Sequence, residues 1–361
     1  MTEPLNSELP DNSLQSSELL CIGNPLVDVF VNIDNNFALK YGILEPVQHI
    51  DREKAEVILN DTSINFAESV KSSGGGAANV AKISAMLGMN SAFSGCVGYD
   101  ELAKIFEEEM ISAGVSAMLV KTQGRTGLCF VYNLDGEIRF AASPGAALEL
   151  NESYISEELI GSAEAVVVDG FILDRRPFVQ YILRHASRKG IPVALDAASI
   201  FQVKSKAEEI LTYSRNYPLF VFMNADEALA FYHTIRKSRD EPVNLSEKEK
   251  ETIILRDVCP MLKIITDGEL FPIMVVKLGG RGALVVAGGN VYREETFAVV
   301  PRNTVGAGDA FCAAFISAWL RGKSLSECAV LGNKVAREIL EVPGTHIKSS
   351  KLKAFAKILQ K

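Results

Sequence analysis

The chain has 361 residues, of which 48% are hydrophobic and 23% charged, so it can bury a large core. A net charge of -8 argues against nucleic acid or an anionic membrane surface as the main partner. The six cysteines and four histidines show no C-x-x-C pair and no zinc-like spacing, which indicates free thiols in a reducing compartment. Without a run of about 18 apolar residues, no transmembrane helix is expected.

The N-terminal segment is polar and acidic and lacks the basic start and apolar centre of a signal peptide. We expect residues 1–18 to be a disordered leader, residues 19–361 to form one domain, and the protein to be cytoplasmic. The first elements after the leader are a short strand at 19–23 and a second strand at 27–33. Asn24-Pro25 forms the turn between them.

A small-residue loop at 72–76 comes next, followed by a helix at 77–87 that Gly88 ends. Residues 126–140 differ from their surroundings, because apolar residues alternate with polar ones on both sides of an Asp135-Gly136 turn. This pattern predicts a β-hairpin. The hairpin could form a small additional sheet or an antiparallel edge of the main sheet.

The middle of the chain alternates between strands and helices. Its continuous apolar runs are typical of strands buried on both faces, and they lie at 165–168, 193–195, 219–223 and 272–278. A strongly apolar helix at 310–320 follows the last strands. The alternation predicts an α/β fold with a mostly parallel, doubly wound sheet.

One candidate site lies at Gly306-Ala307-Gly308-Asp309, directly before the apolar helix. Free N–H groups at a helix start, together with the positive end of the helix dipole, can bind an anion. A carboxylate beside such a site suits phosphoryl transfer to a hydroxyl, because it can accept the proton while the amides hold the phosphoryl charge. The other interpretation is that Asp309 only caps the helix.

Three further polar groups are candidates. Gly74 and Gly75 allow a substrate to lie against the backbone, and Asn79 can hydrogen-bond its hydroxyls; the alternative is a flexible loop. Asn24 and Asp28 suit vicinal hydroxyls, although Asn-Pro is also an ordinary turn. In Asn224-Ala225-Asp226-Glu227, Glu227 could attract Mg²⁺ through water. An acidic first helical turn explains that motif equally well.

Together these segments resemble the ribokinase-like (PfkB) family of carbohydrate and nucleoside kinases, over residues 19–344. GGGAANVAKISAMLG at 74–88 is similar to the family's first signature, and Asn303-Thr304-Val305-Gly306-Ala307-Gly308-Asp309 to its second. Asn224 to Glu227 matches an N-x-x-E motif, and VVKLGGRGALVV at 275–286 looks like the nucleotide-side strand pair.

The resemblance implies a three-layer α/β/α core with a small β-sheet lid, formed by strands from about 29–50 and 126–142. It implies ATP and Mg²⁺ as cofactors, Asp309 as the catalytic base, and Gly306, Ala307 and Gly308 as the anion hole. The implied substrate-binding residues are Asn24, Leu26, Asp28, Gly74, Gly75, Asn79, Arg139 and Phe171. The implied ATP-binding residues are Asn224, Lys277, Gly279, Gly282, Thr304 and Asn333, with Glu227 for the metal.

Position 303 departs from the family, because it is Asn where Asp is usual. In some members that Asp helps to hold an activating monovalent cation. The loss of one negative charge should weaken such a site, which argues against K⁺ dependence but leaves the chemistry intact.

The opening 23–43 looks more like adenosine kinases than like ribokinase. The implied lining of the base site is apolar: Leu26, Phe130, Phe171 and Tyr132. Such residues suit a purine, but they are also ordinary core residues. We expect a small-molecule substrate, with a nucleoside slightly favoured over a free sugar, and a monomer or homodimer.

Two other functions compete with the kinase. A catalytically weak sugar or nucleoside sensor on the same fold is favoured only by Asn303. A nicotinamide-dependent dehydrogenase requires a complete glycine fingerprint after the first strand, and Gly23-Asn24-Pro25 does not supply one.

Overall fold

Two β-sheets of unequal size organise the chain. The computed structural model describes residues 16–238, 244–268, 270, 272–297, 299, 305–341 and 349–359. Most of the predicted leader and both Asn303 and Thr304 lie outside these ranges. The strands are β1 Leu19–Ile22, β2 Leu26–Val31, β3 Val47–His49, β4 Lys71–Gly74, β5 Ser91–Val97, β6 Ser116–Lys121, β7 Gly127–Leu134, β8 Glu137–Ser143, β9 Ala165–Asp169, β10 Val193–Asp196, β11 Leu219–Asn224, β12 Ile273–Lys277, β13 Ala283–Ala287 and β14 Asn290–Glu294.

Helices lie on both faces of the larger sheet. The helices of the described residues are α1 Asn35–Tyr41, α2 Arg52–Leu59, α3 Gly76–Met86, α4 Glu101–Ser112, α5 Glu157–Gly161, α6 Arg176–Arg188, α7 Ile200–Asn216, α8 Ala225–Arg236, α9 Glu247–Ile253, α10 Cys259–Thr266, α11 Ala307–Leu320, α12 Leu325–Leu340 and α13 Ser349–Leu359. A π-helical segment, Ile254–Val258, joins α9 to α10. No helix in the ranges that the structure describes is long and apolar enough to cross a membrane.

The larger sheet has the order β14-β13-β12-β11-β10-β9-β1-β5-β6. Its strands from β12 to β6 are parallel, and β13 and β14 add an antiparallel edge. One core packs α3, α4, α11 and α12 against one face, and a second core packs α6, α7, α8 and α10 against the other. Apolar runs such as Ala165–Val168 are buried from both sides. The predicted three-layer α/β/α fold is confirmed.

The smaller sheet has the order β3-β8-β7-β2-β4 and forms the lid. The hairpin of β7 and β8 turns at Asp135 and Gly136, which both have positive φ, as a type I′ turn requires. The hairpin therefore belongs to a separate sheet and is not an edge of the main one. The lid also contains β4, in a segment that the sequence analysis placed in a loop. Its sequence, KSSG, has little strand propensity, and its pairing with β2 holds it extended.

We expect Gly282→Ala to destabilise the fold far more than Gly136→Ala. Both glycines have positive φ, but a Cβ on Gly282 would stand 2.0 Å from the Glu294 carbonyl oxygen, whereas nothing lies within 4 Å of one on Gly136. Left-handed strain alone should cost about 1–2 kcal/mol at Gly136. Strain plus the clash should cost about 3 kcal/mol or more at Gly282. Urea unfolding checks this, and equal losses would contradict the turn geometry.

Candidate active site

The candidate site lies at the carboxyl edge of the larger sheet, where the strand order reverses. The chain proceeds from β1 to β5 on one side and later returns to β9 on the other side. Ligands of doubly wound proteins bind at such a switch point. Asn24 follows β1, and Asp169, Asp196, Asn224 and Lys277 end β9, β10, β11 and β12. The parallel strands therefore direct these polar residues to one edge.

The start of α11 forms the centre of this site. The helix begins at Ala307, three residues earlier than predicted, so Asp309 lies inside its first turn. Gly306 caps the helix in the left-handed conformation and provides no side-chain cap, so the first-turn N–H groups point outward without a capping oxygen. The Lys277 Nζ lies 3.2 Å from where a Cβ on Gly308 would stand. A cation therefore adjoins the anion hole.

Asp309 has the properties of a general base. Its Oδ2 accepts a hydrogen bond of 2.8 Å from the Asn79 amide nitrogen. Burial and then the nearby Asp196 raise the pKa of Asp309 to about 7, while Asn79 and Lys277 act to lower it. A base whose pKa lies near the working pH transfers protons most effectively. A role of Asp309 as a simple helix cap would explain neither the hydrogen bond that it accepts from Asn79 nor the burial of its carboxylate.

The acceptor side of the site contains a second buried carboxylate, Asp28. A Cβ on Gly74 would stand 2.5 Å from each Asp28 carboxylate oxygen, so only glycine leaves room for it. Gly75 has a φ of 98°, and a Cβ there would stand 2.3 Å from the Asn24 carbonyl oxygen. Burial raises the pKa of Asp28 to about 7, and Lys82 opposes that rise. The two glycines thus leave room for Asn24 and Asp28 directly before the start of α3, the helix that carries Asn79.

Two residues that the sequence analysis missed complete this side. The Arg175 guanidinium donates to the Asn24 side-chain oxygen and, at 2.7 Å, to the Ala147 carbonyl, which fixes the Asn24 amide. Asp169 is 4% exposed, and its Oδ1 accepts the Phe171 N–H at 3.0 Å. Burial raises the pKa of Asp169 to about 6. Asp169 and Asp196 each directly follow a buried apolar run in the sequence, and this position could have identified them as site residues. Nothing local pointed to Arg175.

One face of the lid covers the site, and it is mostly apolar. Directly paired residues of a sheet share a face, and Asp28 pairs with Cys129, Cys129 with Ala142, and Ala142 with His49. Phe171 packs edge-to-face on His49 with ring centroids 5.6 Å apart. The strand period of two places further residues on this face: Leu26, Phe30, Val131 and Phe140.

Three residues expected at the site lie on the opposite face of the lid. Phe130 packs on Phe66, and the Tyr132 hydroxyl donates to the Ile43 carbonyl at 2.8 Å. Arg139 pairs with Tyr132 across the hairpin, donates to the Leu44 carbonyl and forms an ion pair with Glu137. The structure does not bring them to the substrate. Alternation in the sequence showed that the lid has two faces, but not which face covers the site.

Among the residues that are predicted to bind ATP and the metal, Glu227 forms a capping box with Asn224. Its Oε2 and Oε1 accept hydrogen bonds of 2.8 Å from the Asn224 N–H and amide, and its own N–H donates to Asn224 at 2.9 Å. Burial and Asp196 raise the pKa of Glu227 to about 7. Within the described ranges, no group of three or more His, Cys, Asp or Glu could hold a metal ion. Both Glu227 carboxylate oxygens are thus engaged by Asn224, and a contact of Glu227 with Mg²⁺ through water stays a prediction.

Lys277 is another residue that is predicted to bind ATP. Its Nζ donates to Asp196 Oδ2 at 2.8 Å. Burial acts to lower the pKa of Lys277, but Asp196 and Glu227 outweigh it and raise that pKa above its ordinary value. Gly279 and Gly282 form the positive-φ turn after β12. The Asn333 amide donates to the Glu294 carbonyl at 3.2 Å, so it braces β14.

A partly buried carboxylate beside an uncapped helix start, under a lid, is an arrangement that suits phosphoryl transfer to a small molecule. The chain belongs to the pfkB family of carbohydrate kinases, whose family model matches residues 35–352. The protein is therefore a phosphotransferase that acts on a hydroxyl of a sugar or nucleoside.

The chain is also similar to individual proteins. The adenosine kinase of Schizophyllum commune is 26% identical over 357 residues, which cover 94% of this chain and 99% of that protein. The 5-dehydro-2-deoxygluconokinase of Bacillus subtilis (strain 168) is 26% identical over 281 residues, which cover 73% and 79%. The solved adenosine kinase from Sinorhizobium meliloti has a TM-score of 0.76 at 24% identity and covers 96% and 99%. That structural likeness shows the shared fold.

We expect Asp309→Asn to lower kcat by about 10²–10⁴-fold and yet to stabilise the fold. Because the folded-state pKa is raised from 3.8 to about 7, the ionised carboxylate costs stability that grows as pH rises between these values. The gain from Asn should therefore be largest above pH 7 and vanish toward pH 4. Urea unfolding across this range checks it, and a destabilised variant would contradict the account.

Proposed function

We propose that this protein transfers the γ-phosphoryl group of ATP to a hydroxyl of a nucleoside, with adenosine as the first candidate. The observation that carries the proposal is the mostly apolar lid face, on which Leu26, Cys129, Phe140 and Ala142 lie on the same side as Asp28. Phe171 adjoins this face through its contact with His49. A free sugar offers hydroxyls all around its ring, whereas a nucleoside has a flat apolar base that such a face can cover. The adenosine kinase relative also covers more of the chain than the sugar kinase relative does.

The proposed mechanism uses residues already placed at the site. Asp28, Asn24 and the backbone at Gly74 and Gly75 hold the vicinal hydroxyls of the acceptor. Asp309 takes the proton from the hydroxyl that reacts, and Asn79 fixes the orientation of its carboxylate. The first-turn N–H groups of α11, with Lys277 beside them, hold the charge that develops on the phosphoryl group.

ATP is proposed to bind along Asn224, Lys277, Gly279 and Gly282, with Thr304 and Asn333 as further contacts. Mg²⁺ would neutralise phosphate charge while keeping most of its water ligands, and Glu227 would meet it through water. Asn303 leaves the K⁺ site weak in this proposal. Six buried free cysteines suit a reducing compartment, and we propose a cytoplasmic enzyme. Its partners are small molecules, and it is a monomer or a homodimer.

A coupled ATP-turnover assay tests the proposal. The acceptors are adenosine, other nucleosides, ribose, fructose and fructose phosphates, each with and without K⁺, and Asp309→Asn is the control. We expect turnover of adenosine without K⁺ and loss of turnover in the control. Turnover of a free sugar alone would overturn the nucleoside assignment. Binding of adenosine without any turnover would support the sensor instead.

We expect Phe171→Ala to raise the KM for adenosine and to leave the KM for ATP unchanged. Stacking of a base on an aromatic ring contributes about 1–3 kcal/mol, which corresponds to roughly five- to 150-fold in KM. The matched control is Phe201→Ala, because Phe201 is 71% exposed on α7. Steady-state kinetics with each substrate varied in turn checks this. An unchanged KM for adenosine would show that Phe171 does not contact the base.

A further inference from the structure

A chain of polar side chains, centred on the buried Ser73, joins α3 to α4 behind the acceptor site. Lys82 lies three residues beyond Asn79 on α3, and its Nζ donates to the Ser73 carbonyl at 2.5 Å and to the Ser73 hydroxyl at 2.9 Å. From α4, Glu109 Oε2 accepts the Ser73 N–H at 2.6 Å and the Ser73 hydroxyl at 2.8 Å. Ser73 has no exposed surface. The chain Lys82–Ser73–Glu109 therefore holds β4 in place.

This chain lies next to Asp28. β4 pairs with β2, and the Asp28 carboxylate fills the space that the missing side chain of Gly74 leaves. Lys82 and Glu109 also line a cavity of about 150 Å³ together with Asn79 and Gly306, so they approach the anion hole as well. The two helices thus place one cation and one anion within reach of the acceptor-binding carboxylate.

The charges around Asp28 act in opposite directions. Burial raises its pKa to about 7; after burial, Lys82 lowers the pKa, whereas Asp309 and Glu109 raise it. These groups come from α3, α11 and α4, and Cys129 of β7 faces Asp28 from the lid. An ionised carboxylate can accept hydrogen bonds from two hydroxyls, and protonation replaces one of these acceptors by a donor. Lys82 and Glu109 therefore act in opposite directions on how well Asp28 can accept hydrogen bonds from two hydroxyls.

We propose that Lys82 and Glu109 are positioning residues that tune acceptor binding in opposite directions, through the opposite charges that α3 and α4 place beside Asp28. The inference rests on the proposed function, since it assigns Asp28 to the acceptor hydroxyls. It goes further by naming two residues that do not touch the substrate and by giving each an opposite effect. A purely structural brace would make both residues act in the same direction.

The test measures adenosine binding by calorimetry across the neutral pH range. All variants carry Asp309→Asn, so that Asp309 does not titrate. In this background, binding should weaken as pH falls through the pKa of Asp28. Adding Lys82→Met should move the midpoint to higher pH, and adding Glu109→Gln should move it to lower pH. A rise of about one unit in the pKa of Asp28 lowers the ratio of its ionised to its protonated form about tenfold at a given pH. Lys82→Met should therefore bind adenosine about fivefold more weakly near the original midpoint.

Two controls separate charge from packing. Lys82→Arg keeps the charge and should leave the midpoint close to that of its parent. Lys104→Met removes an exposed lysine of α4 that pairs with the exposed Glu101, and it should leave the midpoint unchanged. Thermal unfolding identifies any variant that fails to fold. If Lys82→Met fails to fold, Glu109→Gln, a nearly isosteric change, tests the inference alone through the direction in which its binding midpoint moves.

Shifts in the same direction, or losses that do not depend on pH, would overturn the inference. Wild-type turnover of adenosine is measured first and distinguishes the two proposals. If the wild type phosphorylates adenosine and the two midpoints do not move in opposite directions, only the roles of Lys82 and Glu109 are wrong. If the wild type neither binds nor phosphorylates adenosine, the nucleoside assignment is wrong, and this inference falls with it.

Discussion

Repulsion among carboxylates that share one poorly hydrated site is the constraint on which this structure depends. Asp28, Asp169, Asp196 and Asp309 all meet at the carboxyl edge of the larger sheet or under the lid. Burial disfavours the ionised forms of Asp28, Asp169 and Asp309, and repulsion from neighbouring carboxylates adds to this effect. Such a cluster persists only because the fold brings cations to it. The same balance leaves Asp309 with a pKa near neutrality, where a proton acceptor for a hydroxyl is needed.

The cations come from different layers of the fold. Lys277 ends β12 and bonds to Asp196, so it links the nucleotide side to the start of α11. Lys82 comes from α3, and its charge acts to lower the pKa of Asp28. Arg175 holds Asn24 from the loop before α6. Because no single element supplies both the charges and their partners, the site forms only when the three layers and the lid are packed together.

Much of this arrangement was visible in the sequence. Continuous apolar runs predict buried parallel strands, and Gly306 to Asp309 before an apolar helix predicts the anion hole and the base. The Asp135-Gly136 turn predicts the hairpin. These features depend on residues that are close in the chain. Gly74 and Gly75 were also recognisable as a candidate site. The need for glycine at these positions comes from a tertiary contact, because Asp28 and Asn24 occupy the space that a side chain would fill.

What the sequence could not show depends on distant contacts. The alternation in β7 and β8 does not reveal which face covers the site, so Phe130, Tyr132 and Arg139 were placed on the wrong side. The strand β4 forms because β2 is beside it, against its own propensity. Lys82 and Glu109 are ordinary helix residues until α3 and α4 meet at Ser73. Contacts between elements, rather than local patterns, create these features.

The central claim is that Asp309 accepts the proton of the acceptor hydroxyl beside the anion hole of α11. A crystal structure with adenosine and a non-hydrolysable ATP analogue would test it most directly. The account predicts that the 5′-hydroxyl oxygen lies within hydrogen-bonding distance of the Asp309 carboxylate, with the terminal phosphate against the N–H groups that begin at Ala307. A reacting hydroxyl bound instead to Asp169, with Asp309 turned away from the acceptor, would contradict it.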